Sequence, residues 1–217
     1  MFNYSKTGFS SSAITSNSCT SQVSGSPFGD WRNTVCFIAD DEDGDLHISD
    51  ANKLATLVDT SYNNINVDKI YLDSYQQVAT PGGDRYPTVS EAINKRVEKG
   101  CLVLNYTGHG GEVGLAHERI IEVSQINSWN NKNNLPLFFT ATCEFSRFDD
   151  PERTSAGEYV FLNPNGGGIA LFTTVRLVFA SPNFSLTMTT WARSCHLKES
   201  LCSNYLSLPT TSGASFS

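Results

Sequence analysis

The chain has 217 residues, 39% of them hydrophobic and 11% aromatic, which is enough apolar material for one domain with a real core. Lys and Arg total 15 against 22 Asp and Glu, so the net charge is −7 and the pI near 5.0, which excludes a nucleic-acid partner held by a basic stripe. No apolar run approaches the ~20 residues that span a bilayer, and the opening stretch MFNYSKTGFSSSAITSNSC lacks the basic start and apolar segment of a signal peptide.

Residues 1–28 are rich in Ser and Thr and show no sustained periodicity, so this segment is expected to be disordered or loosely attached. TVCFIAD (34–40) is a short apolar run ending in acids, the pattern of a buried strand. A helix is predicted over 49–62, capped by Ser49 or Asp50, with Leu54, Leu57 and Val58 on one face. VDKIYLD (67–73) is the second strand, and the Gly-rich ATPGGDRYPT is a loop. A helix over 89–100 ends at Gly100, and CLVLNYT (101–107) is the third strand. A weaker helical pattern covers 121–131, and LPLFFTAT (135–142) is the fourth strand. A helix over 154–163 and a fifth strand over 167–175 follow. Residues 184–217 are again loaded with Ser and Thr and are expected to pack loosely.

Strands that are apolar on both faces and alternate with helices specify an α/β fold, a mainly parallel sheet covered on both sides. Ligands in such sheets bind beyond the carboxyl ends of the strands. Two loops on that rim carry reactive side chains. His109 stands between glycines in NYTGHGGE, after the third strand, and Cys143 stands in FFTATCEF, after the fourth. A thiolate nucleophile needs exposure and a base, and this order places the base on a neighbouring rim loop. The backbone N–H groups of Gly110 and Cys143 are candidate donors to a tetrahedral oxyanion, since glycine leaves its N–H unobstructed. His117 is a weaker rival base, and His47 and His196 lie outside the glycine frame. Of the six cysteines none shows C-x-x-C metal spacing, and Cys36 and Cys101 border apolar strands and are expected to be buried. An α/β-hydrolase reading is disfavoured because that fold places its histidine last in the chain.

NYTGHGGE followed by LPLFFTATCEF resembles the gingipain family of cysteine peptidases, which share the caspase-like three-layer α/β/α fold. GGGIALFTTVRLVFASPN resembles the family's next strand and Ser-Pro loop. DWRNTVCFIADDEDG, DKIYLDSYQQVATPGGDRYPTV and CEFSRFDDPERTSAGE resemble its type IX secretion sortase group. The likeness covers residues 29–183. It implies His109 as general base, Cys143 as nucleophile and Gly110 as oxyanion donor. It also implies Phe179 as a lining of the specificity pocket, and Asp40 or Asp41 as the acid that orients the histidine. The family substrate is a protein or peptide, and the sortase group implies processing of C-terminal sorting regions, type IX secretion partners and a bacterial surface, outer-membrane or secreted location. The likeness stops at both ends, so the sheet is expected to be incomplete there and the chain to be a fragment, with 184–217 an aberrant tail.

No cofactor is required by this chemistry. The acidic loop DDEDGDLHISD offers Asp41, Asp43 and Asp45 as candidate calcium ligands, but the first ligand position of a calcium loop would fall on Ala39, and a strand precedes it instead of a helix. The leading expectation is a cysteine endopeptidase domain of sortase-like role; its rival is an inactive fragment or an acidic calcium-binding module.

Overall fold

The computed structural model describes residues 29–192. A short 3₁₀ turn (Asp30–Asn33) leads into β1 (Thr34–Ala39), followed by α1 (Leu46–Ser61), β2 (Asn66–Tyr71) and a second 3₁₀ turn (Leu72–Ser74). A hairpin, β3 (Val78–Thr80) and β4 (Gly83–Arg85), precedes α2 (Pro87–Lys99) and β5 (Val103–Thr107). Next come three two-residue strands, β6 (Gly110–Gly111), β7 (Gly114–Leu115) and β8 (Ile121–Glu122). The chain then forms α3 (Val123–Ser128), β9 (Leu137–Ala141), α4 (Ala156–Leu162), β10 (Ala170–Phe172) and a helix over 180–192, here α5.

The main sheet has the order β10-β9-β5-β1-β2, and every pairing in it is parallel. Alternation along β1 divides the core. Cys36 and Ile38 face one cluster with Val89, Ile93 and Val97 of α2, Ile126 of α3 and Val160 of α4. Val35 and Phe37 face the other, with Leu54, Ala55 and Val58 of α1 and with Phe184, Met188 and Trp191 of α5. Helices therefore cover both faces in a three-layer α/β/α arrangement. Each fully buried side chain of this kind contributes about 1.5–3 kcal/mol over leaving it exposed.

Several boundaries differ from the sequence pattern. Helix α1 starts earlier than expected: the residue before it is Asp45, held at φ 64, so neither Ser49 nor Asp50 caps it and Asp50 is buried within the first turns. The Gly-rich loop closes as a hairpin through Pro81 and Gly82. The fifth strand shrinks to three residues. Pro87 starts α2 in its first turn and Gly100, at φ 85, ends it as expected, while Ser155 and Glu158 form a capping box on α4. The largest difference lies at 184–192, expected to be loosely attached. This stretch is helical, and Trp191 lies 5.9 Å from the Phe37 ring. Residues 1–28 and the remainder of the tail, 193–217, lie outside the described residues.

Register sets the site. Ala39 of β1 pairs with Thr107 of β5, and Thr107 pairs with Ala141 of β9. The three strands end abreast, so the loops that begin at Asp40, Gly108 and Thr142 leave the sheet side by side. The ladder continues one step beyond the strands: Asp40 N–H donates to the Thr107 carbonyl (3.1 Å) and Gly108 N–H to the Ala141 carbonyl (3.3 Å).

Candidate active site

The histidine loop is held by its backbone. Asp40 is fully buried; its Oδ2 accepts the His109 N–H at 3.0 Å and its Oδ1 accepts the Glu42 N–H at 3.3 Å. The Tyr106 hydroxyl donates to the His109 carbonyl at 2.5 Å. Burial, and the Asp40 carboxylate beside it, push the Tyr106 phenol well up, so it stays protonated and remains a donor. Both ends of the His109 peptide unit are thus gripped by buried groups. Gly108 makes this possible: at φ 156, a Cβ there would fall inside contact distance of Asp40 Cβ and lie 2.6 Å from the Tyr106 hydroxyl.

The ring of His109 meets a different acid. Its Nε2 lies 2.9 Å from Asp43 Oδ2. That hydrogen bond, and then the charge of the imidazole, pull the Asp43 carboxyl below its ordinary value. Of the two acids named from the sequence, Asp40 acts on the backbone of His109, and Asp41 accepts the Tyr86 hydroxyl at 2.6 Å. His117 stacks on His109 with centroids 5.0 Å apart and is bound through Nδ1 to Glu42 at 2.8 Å. The hydrogen bond to Glu42 raises its pKa.

Cys143 follows Thr142, which is buried, and is itself partly exposed. Glu144 adopts φ 47, a left-handed turn immediately after the cysteine that lifts it off the strand direction. The segment 173–179 walls this turn. Thr174 donates through Oγ1 to the Thr142 carbonyl, Ser146 N–H donates to the Thr174 carbonyl (3.2 Å), and Glu144 N–H to that of Arg176 (3.3 Å). The Cys143 thiol points to the Val178 carbonyl at 3.5 Å. Cys36 and Cys101 are buried thiols whose pKa burial drives up, Cys101 to about 12. They are packing residues, Cys36 within β1 and Cys101 just ahead of β5.

The two loops are also tied to each other. Glu112, just past the histidine, takes Arg147 at 2.7 Å and Arg153 at 3.4 Å, and its carbonyl accepts the Ala156 N–H at 2.6 Å. A side chain at Gly110 would meet Thr142 Oγ1 at 2.5 Å, so the backbone of Gly110 lies directly against the residue before Cys143.

His109 and Cys143 line one cleft of about 280 Å³, together with Asp43, His47, Phe179 and Asn183. Phe179 is 85% exposed, so it belongs to the cleft wall and not to the core. The volume lies just under the ~300–1,000 Å³ of small-molecule pockets. The three acids considered for calcium do not converge: among the described residues the group of potential ligands within 4.8 Å of one another is Asp43, His47 and His109, without Asp41 or Asp45. Sequence reasoning missed the pairing of Asp43 with His109, the approach of His47 and the bracing by Glu112. The i, i+4 spacing of Asp43 and His47 was the available signal.

A family model, Peptidase family C25, matches residues 15–207. The fold is similar to the crystal structure of the Arg specific cysteine proteinase gingipain R, with TM-score 0.61 and 20% identity over 79% of this chain and 38% of that one. It is also similar to the complex of Porphyromonas gingivalis RgpB pro- and mature domains, with TM-score 0.63 and 17% identity over 78% and 39%. The chain thus spans under two fifths of the length of these solved structures. No curated protein matches the sequence.

Proposed function

The chain belongs to peptidase family C25, and from that premise we propose that it is the catalytic part of a cysteine endopeptidase in which Cys143 is the nucleophile and His109 the base. The observation that supports the reading is the shared cleft: His109 and Cys143, from the loops after two adjacent parallel strands, line it together, and Asp43 engages Nε2 of the imidazole.

With Nε2 engaged by Asp43, Nδ1 is the nitrogen that exchanges a proton with the thiol. The thiolate attacks the scissile carbonyl carbon, and the carbonyl oxygen takes up negative charge. The backbone N–H groups of Gly110 and Cys143 stabilise that oxyanion, a role favoured by the close packing of Gly110 on Thr142. The imidazolium returns its proton to the leaving amine, the C–N bond breaks and a thioester remains on Cys143. Asp43 favours the imidazolium in between, and Asp40 and Tyr106 hold the loop in place. Phe179 forms an apolar wall for the substrate side chain ahead of the cleaved bond.

Water releases the acyl group as hydrolysis; an amine releases it as a transfer. The sortase-like reading, with C-terminal sorting regions as substrate, type IX secretion partners and a surface, outer-membrane or secreted location, rests on the resemblance of residues 29–183 to that group.

The test uses the full chain with a fluorogenic peptide library. Cys143→Ala and His109→Ala should each lower kcat/KM by at least about 10³-fold while His117→Ala keeps most of it. Full turnover in Cys143→Ala sinks the nucleophile assignment. Adding a peptide amine distinguishes the two fates of the thioester: a ligated product supports transfer, and unchanged hydrolysis speaks against it.

A further inference from the structure

We propose that Asp43, His47 and His109 form a binding site for a divalent transition-metal ion of the zinc class, and that the bound ion switches the cleft off by taking the imidazole that the thiol needs. The switching half rests on the peptidase reading; the metal site does not.

The donor atoms are already gathered. His109 Nε2 lies 2.9 Å and His47 Nε2 3.3 Å from the same oxygen, Asp43 Oδ2, and all three donors fall within 4.8 Å of one another. Ligands about 2.0–2.1 Å from a tetrahedral ion stand roughly 3.3–3.4 Å apart, so small adjustments suffice to admit one.

A second, independent observation points to a ligand. His47 is 5% exposed, lines the cleft, and its Nε2 makes no hydrogen bond, although it stands 3.3 Å from Asp43. The separation is within ion-pair reach, but the nitrogen is not aligned for a hydrogen bond to that oxygen. Buried polar atoms normally have partners, so a buried imidazole nitrogen whose one approach, to Asp43, lacks hydrogen-bond geometry is open to a further ligand at the cleft wall. The His47 and His109 rings meet edge to face, with centroids 5.1 Å apart, and both Nε2 atoms approach the same carboxylate oxygen.

The donor set selects the ion. Two imidazole nitrogens and one carboxylate oxygen suit zinc, and also cobalt, nickel or copper, whereas calcium and magnesium want oxygen throughout. Three protein ligands leave a fourth position facing the cleft that Cys143 lines. His117 is not among the gathered donors.

The consequence for the base follows from proton bookkeeping. A neutral imidazole coordinated through Nε2 keeps its one proton on Nδ1. That nitrogen is then a donor and cannot accept the thiol proton, and Asp43 is withdrawn from the ring. The ion and the imidazolium are mutually exclusive, so metal and turnover compete.

The experiment titrates the full chain, freed of metal, with Zn²⁺ alone by calorimetry, and repeats it with Co²⁺ while recording visible spectra. One ion should bind with a micromolar or tighter Kd, and Co²⁺ should show the intense bands of a four- or five-coordinate site. His47→Gln and Asp43→Asn should each weaken that binding at least tenfold with circular dichroism unchanged. The exposed position of Asp43 makes the second variant a safe companion should the first fail to fold. Equal affinity in wild type and Asp43→Asn, or a six-coordinate Co²⁺ spectrum, overturns the site. In protein with measurable turnover, Zn²⁺ should inhibit and a chelator restore; binding without inhibition overturns the switch. Metal-free protein without any turnover refutes the peptidase reading instead, and leaves calorimetry to decide the site.

Discussion

Two glycines of one motif should respond oppositely to the same methyl group. In TGHGGE, Gly108 and Gly111 flank the histidine and its neighbour. At Gly108 the backbone sits at φ 156, and an added Cβ would collide with Asp40 Cβ and approach the Tyr106 hydroxyl to 2.6 Å and its Cζ to 2.9 Å. Both obstacles are buried, and Asp40 Cβ cannot swing away without releasing the His109 N–H. Over-packing of this kind costs about 1–3 kcal/mol, and a non-glycine residue in a sparsely populated backbone region costs about 1–3 more. Gly108→Ala should therefore destabilise by roughly 2–6 kcal/mol, which at a urea m-value of ~2 kcal/mol/M lowers the midpoint by about 1–3 M. At Gly111 an added Cβ meets nothing within 4 Å, so Gly111→Ala should stay within about 1 kcal/mol of wild type. Urea unfolding of both variants measures the contrast. Activity assayed well below each midpoint should fall about 10²-fold in Gly108→Ala, because relief of the clash moves His109 by something near an ångström. If Gly108→Ala unfolds within 0.5 kcal/mol of wild type, the buried clamp of Asp40 and Tyr106 on the histidine loop is wrong.

Iodoacetamide at pH 8 should label Cys143 and leave Cys36 and Cys101 untouched in peptide maps, since a thiol near pKa 12 is only about one part in 10⁴ thiolate there and both are buried; labelling of Cys101 at a rate like that of Cys143 would contradict the packing. The raised pKa of His117 makes its pairing with Glu42 a contribution fully present below the unfolded histidine value and lost as pH rises through the folded one. In His117→Gln the fall in stability between about pH 6 and 8 should shrink, by less than about 1 kcal/mol because the ring is largely solvated, as read from urea midpoints across that range. Trp191→Ala should cost about 1–3 kcal/mol with an unchanged m-value, less than the ~3–5 of a fully buried tryptophan, whereas a silent substitution would mean that α5 does not pack on the sheet.

The order of strands and helices, the rim and the two rim loops that carry His109 and Cys143 were legible because they rest on periodicity, which burial on both faces of a parallel sheet enforces. What escaped was set by tertiary packing. The α5 segment carries Phe184, Met188 and Trp191 at i, i+4 and i+7, one helical stripe, but Ser and Thr between them suggested a loose tail. Those hydroxyls are satisfied within the helix: Thr187, Thr189 and Thr190 each donate to the carbonyl four residues back, at 2.8, 2.8 and 2.9 Å. Composition counted polar groups that the backbone had already absorbed. The small strands β6 to β8 were illegible for another reason, since two-residue pairings leave no period to detect.

The acidic loop shows how one boundary error changes a functional reading. With the helix expected to start at Ser49, Asp41, Asp43 and Asp45 looked like alternate ligands on a free loop. With α1 starting at Leu46, His47 enters the first turn and faces the cleft, and Asp43 sits one turn before it. Asp41 is drawn off by Tyr86. The acid that reaches the histidine ring is then the one on the histidine-bearing side of that turn, while Asp40, at the strand end, can reach only the backbone, because β1 and β5 end in register. Strand register thus separates two tasks among neighbouring aspartates: the buried Asp40 fixes the backbone of His109, and the exposed Asp43 pairs with its ring.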